Sequence, residues 1–432
     1  MKRGFYTIMA AQFFSSLADN ALLIASIAML VQLDSPAWLT PLLKFFFTIS
    51  YVVLAFLVGA FADSMPKGRV MFITNTIKVL GCVLILFNEY LSIGDIPSYW
   101  IILAAYAVVG LGAAAYSPAK YGILTELLPA EQLVVANGWI EGLTVASIVV
   151  GTLLGGMLIA PRVSHMLLSV ELPFFVSSID TPPEAAIAVI AFIYIVAALF
   201  NLAIADTGAR YPHQERNPVR LLADFSRCFV TLWRDKLGQI SLAVTTLFWG
   251  AGAALQFIII KWAERVLHMP LDQGAMLQGV SALGIALGAV AAGRFVPLKK
   301  AVNVLPVGIA MGVVVLTLVS VRWMPAIYFL LVLVGALAGF FVVPMNALLQ
   351  HRGHVLMSAG HSIAVQNFNE NVSILVMLAL YSLMIKFDFR IQSVIVIFGL
   401  FVAGAMYLVM RWNAANHRAD PQLDRFIGEA KH

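Results

Sequence analysis

Apolar runs of about 20 residues, the length a helix needs to cross the hydrocarbon of a bilayer, recur twelve times in this chain and leave it little else to become. They fall near 7–31, 42–63, 70–90, 99–119, 136–161, 185–206, 239–262, 274–295, 303–322, 325–349, 358–385 and 391–411. With 61% of 432 residues hydrophobic, 11% charged and a mean hydropathy of +0.92, there is too little polar surface to cover a water-soluble globule. The expected fold is an all-α membrane protein with twelve transmembrane helices. The first run follows Lys2 and Arg3 as a signal peptide does, but it is long, carries Asp19 and Asn20, and has no small-residue cleavage pattern. It reads as a retained span. Cys82 falls in a helix and Cys228 in a basic loop, so no disulfide is expected.

Orientation follows from the loops. Lys2, Arg3, Lys67, Arg69, Lys120, the basic residues of 210–236, Arg294, Lys299, Lys300, Arg352, Arg411, Arg418, Arg425 and Lys431 fall on one side, which the positive-inside rule makes cytoplasmic, with both termini. The net charge of +5 is spread over these short loops rather than gathered into a patch, so no nucleic-acid partner is expected. Opposite them, 33–41 and 88–98 carry no Lys or Arg, and in 162–184 the core SVELPFFVSS is expected to dip into the interface.

A polar insertion divides six spans from six. The expected organisation is an N-terminal bundle over 1–206, a cytoplasmic linker over 207–238, a C-terminal bundle over 239–412 and a tail over 413–432. Within the linker Arg220, Arg227 and Arg234 recur every seven residues, and Leu222, Phe225, Phe229 and Leu232 form an apolar stripe. That pattern predicts an amphipathic helix lying on the cytoplasmic leaflet, as an anchoring linker or as a lipid sensor or docking site. The halves also repeat weakly. VGAFADSMPKGRV (58–70) is echoed by AVAAGRFVPLKKAV (289–302), GLGAAAYSPAK (110–120) by GALAGFFVVPMN (335–346), and ANGWIEG (136–142) by VQNFNEN (365–371), which sets Glu141 opposite Glu370. Two related six-helix bundles with a site between them is a transporter arrangement.

Charge in hydrocarbon costs about 2.5–3.5 kcal/mol on insertion scales, so the ionisable residues inside the spans are the candidates for function. Ser15 and Asp19 share a helix face beside Asn20, and Lys78 or Lys120 is the expected partner of Asp19. Within 110–141, Pro118 reads as a kink, while Lys120 and Glu141 border a cytoplasmic opening, with Asn137 one turn from Glu141. Near the C-terminal end, Gln366, Asn367, Asn369, Glu370 and Asn371 make a polar cluster in which Asn367, Glu370 and Asn371 present one face. Helix-to-helix gluing by the amides is the structural alternative. Catalytic signatures are missing: no P-loop, no HExxH, no G-x-S-x-G, and His268 and Asp272 are too close for an acyltransferase HxxxxD. No enzyme activity, metal or cofactor is expected.

At AQFFSSLADNALL (11–23), GAFADSMPKGRVM (59–71), AAAYSPAKYGIL (113–124), FFVVPMNALLQ (340–350) and AVQNFNEN (364–371), the chain resembles the bacterial lysophospholipid transporter family of the major facilitator superfamily. The resemblance covers nearly all the predicted spans and implies the major facilitator fold in the bacterial inner membrane. It implies a flippase that moves lysophosphatidylethanolamine and related lysolipids from the outer to the inner leaflet by alternating access, for reacylation by a separate acyltransferase. Segment 59–69 resembles the superfamily's cytoplasmic gate, with Ser64 where an Arg is usual. The gating residues are then Asp63, Lys67, Arg69 and Lys78, with Asp63 and Arg69 as the latch. The resemblance implies an Arg at the position of Gln256, so a network using that Arg would have to be rebuilt here. A zwitterionic headgroup needs an anion for its ammonium and a donor for its phosphate. This assigns Asp19, Glu141 and Glu370 to the ammonium and Lys120 to the phosphate or to a gating pair. Asn20, Asn137, Gln366, Asn367 and Gln256 complete the expected binding set. The competing readings are a cation-coupled exporter of amphipathic drugs, with Asp19 or Glu370 as a proton site, and a scaffold subunit docking a lipid-remodelling acyltransferase through 207–238.

Overall fold

The computed structural model describes residues 3–36, 39–91, 97–169, 179–211, 217–269 and 271–427. In chain order the helices are α1 (Arg3–Gln32), α2 (Thr40–Val53), α3 (Ala55–Asp63), α4 (Lys67–Leu86), α5 (Asn88–Leu91), α6 (Ser98–Leu127), α7 (Leu133–Ile159), α8 (Pro161–Leu168) and α9 (Pro182–Leu202). After them come α10 (Pro218–Arg234), α11 (Gly238–Val266), α12 (Leu271–Phe295), α13 (Leu305–Thr317), α14 (Met324–Leu356), α15 (Ala359–Lys386) and α16 (Ile391–Ala419). Among the described residues eleven stretches are long and apolar enough to cross a membrane, and a twelfth span appears when α2 and α3, bent by 65° at their junction, count as one. The all-helical membrane fold read from the apolar runs is the fold formed. At the bend Leu54 sits at φ −93° and ψ 0°, in the sparsely populated bridge region. Lys2, Lys431 and residues 170–178, which include most of the segment expected to dip into the interface, lie outside the described residues.

Pro118 and Pro344, which the internal repeat aligns, both lie inside unbroken helices, α6 and α14. The helix read as kinked at Pro118 runs on past it to Leu127, as prolines are tolerated in membrane bundles.

The residues gather into two compact units, Met1–Ile123 with Ala146–Leu221, and Leu124–Val145 with Leu222–His432. In the first, Ala18, Leu22 and Ala25 of α1 pack with Cys82, Ile85, Tyr106, Ile190 and Tyr194 in one buried cluster. Small residues let backbones meet there: a Cβ on Gly155 of α7 would stand 2.8 Å from the Ala21 carbonyl of α1. In the second unit Gly284 and Gly288 of α12 face Gly335 and Gly339 of α14 so closely that a Cβ on Gly288 would overlap the Ala336 carbonyl.

The linker helix α10 corrects the sequence reading in phase and in what it covers. Its buried residues are Leu221, Phe225 and Leu232, whereas Leu222 is 53% exposed. Phe225 and Phe229 meet the Phe368 ring of α15 at 5.5 and 6.1 Å, and Trp233 stacks on Trp412 of α16 at 6.4 Å. One face of α10 is therefore spent on protein rather than on lipid. Beyond its end Asp235 accepts the Gly238 backbone N–H at 2.7 Å and grips Arg352, whose Nε and Nη2 lie at 3.1 and 2.7 Å from the two carboxylate oxygens.

Candidate functional site

Among the described residues, a buried polar cluster in each unit gathers several of the candidate side chains. In the first, the spacing of Ser15 and Asp19 on α1 stacks them one turn apart, and Asn75 and Lys78 of α4 do the same on the facing helix. Lys78 Nζ lies 2.8 and 2.9 Å from the two Asp19 oxygens and 3.0 Å from Ser15 Oγ, which donates to Asn75 Oδ1 at 2.7 Å. From α9 the Tyr194 hydroxyl donates to Asp19 Oδ1 at 2.6 Å. The ammonium of Lys78 also lies 5.1 Å from the Tyr116 ring centroid and 5.4 Å from that of Tyr194. The Lys78 side chain is 1% exposed and that of Asp19 is 20% exposed, so the carboxylate is the reachable end of the pair. Asn75 Nδ2 and the Tyr116 hydroxyl are buried without a hydrogen-bond partner.

The structure thus gives Asp19 the partner Lys78. Asn20 does not join the cluster: its amide donates to the Ser16 carbonyl of its own helix at 2.8 Å.

The second cluster joins α7, α14 and α15. Asn137 and Gln350 exchange two amide hydrogen bonds, each 2.9 Å. One turn along, Asn346 Nδ2 donates to Glu141 Oε1 at 3.3 Å, and Gln366 Nε2 donates to Asn346 Oδ1 at 3.0 Å and to Glu370 Oε1 at 2.7 Å. Two carboxylates are bridged through two amides, and all these groups are buried. Asn137 and Glu141, one turn apart on α7, thus make two parallel rungs to α14, because Asn346 and Gln350 repeat at the same one-turn interval. Asn367 is buried, while Asn369 and Asn371 donate their amides to carbonyls of α15, at Val365 and Asn367.

The other candidates have contacts of their own. Lys120 Nζ lies 4.2 Å from the Tyr121 ring centroid. Gln256, exposed on α11, donates to Gln278 Oε1 of α12 at 3.0 Å, and Gln278 returns a bond to the Gln256 carbonyl at 2.8 Å. At the turn between α3 and α4, Asp63 pairs with Lys67 at 2.5 Å, and Lys67 also donates to the Ala62 carbonyl at 2.8 Å and lies 4.8 Å from the Tyr211 ring centroid. The expected latch of Asp63 with Arg69 is therefore not the ion pair that forms. Lys67 stands one turn from Asp63, whereas Arg69 is exposed. After α9, the hydrogen bond from Arg210 and the Gly208 N–H pull the exposed Asp206 carboxyl down to about 2, with a smaller contribution from the Arg69 charge.

Sequence reasoning missed Tyr194, Asn75 and Tyr116 in the first cluster and Asn346 and Gln350 in the second. The last two carry a readable signal, a pair of amides one turn apart in the otherwise apolar FFVVPMNALLQ. Tyr194 carries none, since a single tyrosine in an apolar span reads as packing.

A family model described as Major Facilitator Superfamily matches residues 8–376. A Yersinia enterocolitica protein named lysophospholipid transporter LplT is 40% identical over 387 residues, covering 89% of this chain and 88% of its own length. A Yersinia pestis protein of the same name is 40% identical over 395 residues, with 91% and 90% covered. Among solved structures, a bacterial homologue of the iron transporter ferroportin in an outward-facing state superposes with a TM-score of 0.72 at 11% identity, over 96% of this chain and 100% of that one. The transporter FucP in its outward conformation gives a TM-score of 0.70 at 14% identity, over 96% and 99%. Likeness at such identities is a likeness of fold.

Proposed function

We propose a function from the family to which this chain belongs, the lysophospholipid transporters of the major facilitator superfamily: it carries lysophospholipids across the membrane by alternating access. The observation that carries this reading is the Asp19–Lys78 pair, which offers a headgroup both charges inside an apolar interior. A zwitterionic headgroup such as phosphoethanolamine carries the complementary pair. Its single acyl chain can stay in hydrocarbon while the head crosses. Because Asp19 is the reachable end, the ammonium meets Asp19 and frees Lys78 to donate to the phosphate. Glu141 and Glu370, with Asn137, Gln366 and Asn367 beside them, form a second station for the ammonium, and Lys120 is a second phosphate contact. Gln256 lends a neutral amide where the family has an Arg. Asp63 with Lys67, and Arg69 beside them, serve as the gate.

In this reading the protein sits in the bacterial inner membrane with both termini cytoplasmic, moves lysophosphatidylethanolamine from the outer to the inner leaflet, and hands it to a separate acyltransferase. Labelled lysophosphatidylethanolamine added to proteoliposomes, with leaflet-resolved readout and with or without ion gradients, tests it. Movement above that in empty liposomes is expected, and its absence would overturn the proposal. Transport that requires a cation gradient and accepts amphipathic drugs equally well would favour an exporter instead.

A further inference from the structure

Helix α10 has a surface that its packing leaves over. At 3.6 residues per turn, Leu221, Phe225, Phe229 and Leu232 form the stripe turned to the protein, while Arg220, Arg227 and Arg234 fall within an arc of about 40° on the far side. Between the two lies a third sector with Val219, Leu222, Ser226 and Val230. There Val219 is 76%, Leu222 53% and Val230 43% exposed. Three branched aliphatic side chains exposed beside a row of arginines is the profile of a helix at a bilayer surface, with apolar side chains in the acyl boundary and guanidinium groups among headgroups. Position agrees, since α10 joins the end of one span, α9, to the start of another, α11, and so lies where the membrane meets water. Only Asp224, which pairs with Arg227, offsets the positive row within the helix.

We infer that this outer face of α10 is a binding surface for anionic phospholipid headgroups, separate from the two headgroup clusters of the transport path. The occupant is a lipid surface rather than a soluble protein, because the basic row adjoins exposed aliphatic side chains at the membrane boundary. An anionic leaflet attracts each such cation and takes up the aliphatic sector.

The test uses the full chain with Cys82 and Cys228 replaced by Ser and Ser226→Cys carrying an environment-sensitive fluorophore, reconstituted in vesicles of phosphatidylcholine with or without phosphatidylglycerol. The inference expects a blue-shifted, iodide-protected probe only with phosphatidylglycerol. Combining Arg220→Gln, Arg227→Gln and Arg234→Gln should raise the phosphatidylglycerol fraction needed for half the shift by about tenfold or more. The corresponding Arg→Lys set keeps the charge and should keep the shift, which separates loss of binding from misfolding. A probe open to iodide in both vesicles would overturn the inference and leave the face to a soluble partner. A probe equally protected in both, whatever the arginine substitutions, would overturn the anionic specificity.

Discussion

Lys78 is the side chain on which the first cluster turns, because it is an ammonium at 1% exposure whose charge is met by one carboxylate. Removing one member of such a pair leaves a buried charge uncompensated and costs about 3–5 kcal/mol, whereas removing both with an apolar replacement is often close to neutral. Asp19→Asn should therefore lower the unfolding temperature of the detergent-solubilised protein markedly. The double substitution Asp19→Asn with Lys78→Met should recover much of that loss while transport of lysophosphatidylethanolamine stays abolished. Recovery of both stability and transport in the double variant would mean that the pair is only structural. Tyr194→Phe isolates the hydroxyl: it removes one 2.6 Å bond to Asp19 and keeps the ring over Lys78. A hydrogen bond to a charged group contributes about 1.5–3 kcal/mol, and initial transport rates should fall without loss of folded protein.

Between α7 and α14 the two amide and carboxylate rungs make one seam, and its cost of disruption is calculable. Either Asn137→Ala or Gln350→Ala strands a buried amide, for which about 1–3 kcal/mol is expected, read as a fall in the unfolding midpoint. An unchanged midpoint in both variants would remove the seam from the account. Helix packing gives a harsher case in Gly288→Val, where the side chain meets the Ala336 carbonyl with no room to yield, so loss of monodisperse protein in size-exclusion chromatography is expected. The spans themselves were legible in the sequence because hydropathy over about 20 residues decides whether a segment can cross a bilayer. What each helix faces was not. The stripe of α10 was displaced from Leu221 to Leu222, since both are leucines and only the Phe368 ring fixes which one turns inward.

Across the whole molecule the internal repeat carries the most functional information, because it sets Glu141 opposite Glu370, and the second unit bridges the two through Asn346 and Gln366. Both carboxylates were legible as charge that is costly to place inside a membrane span. The amides between them escaped notice because Asn and Gln in an apolar helix also serve as neutral glue, and only coordinates show whose oxygen each one meets. Sharing one chain of hydrogen bonds makes the carboxylates act as a unit, and groups that act as a unit are non-additive. Glu141→Gln and Glu370→Gln should each slow lysolipid uptake, and the double variant should be scarcely slower than the worse single one. Initial rates in proteoliposomes, normalised to folded protein, decide it: if the two losses multiply, the carboxylates contribute independently and the bridge through Asn346 and Gln366 has no part in transport.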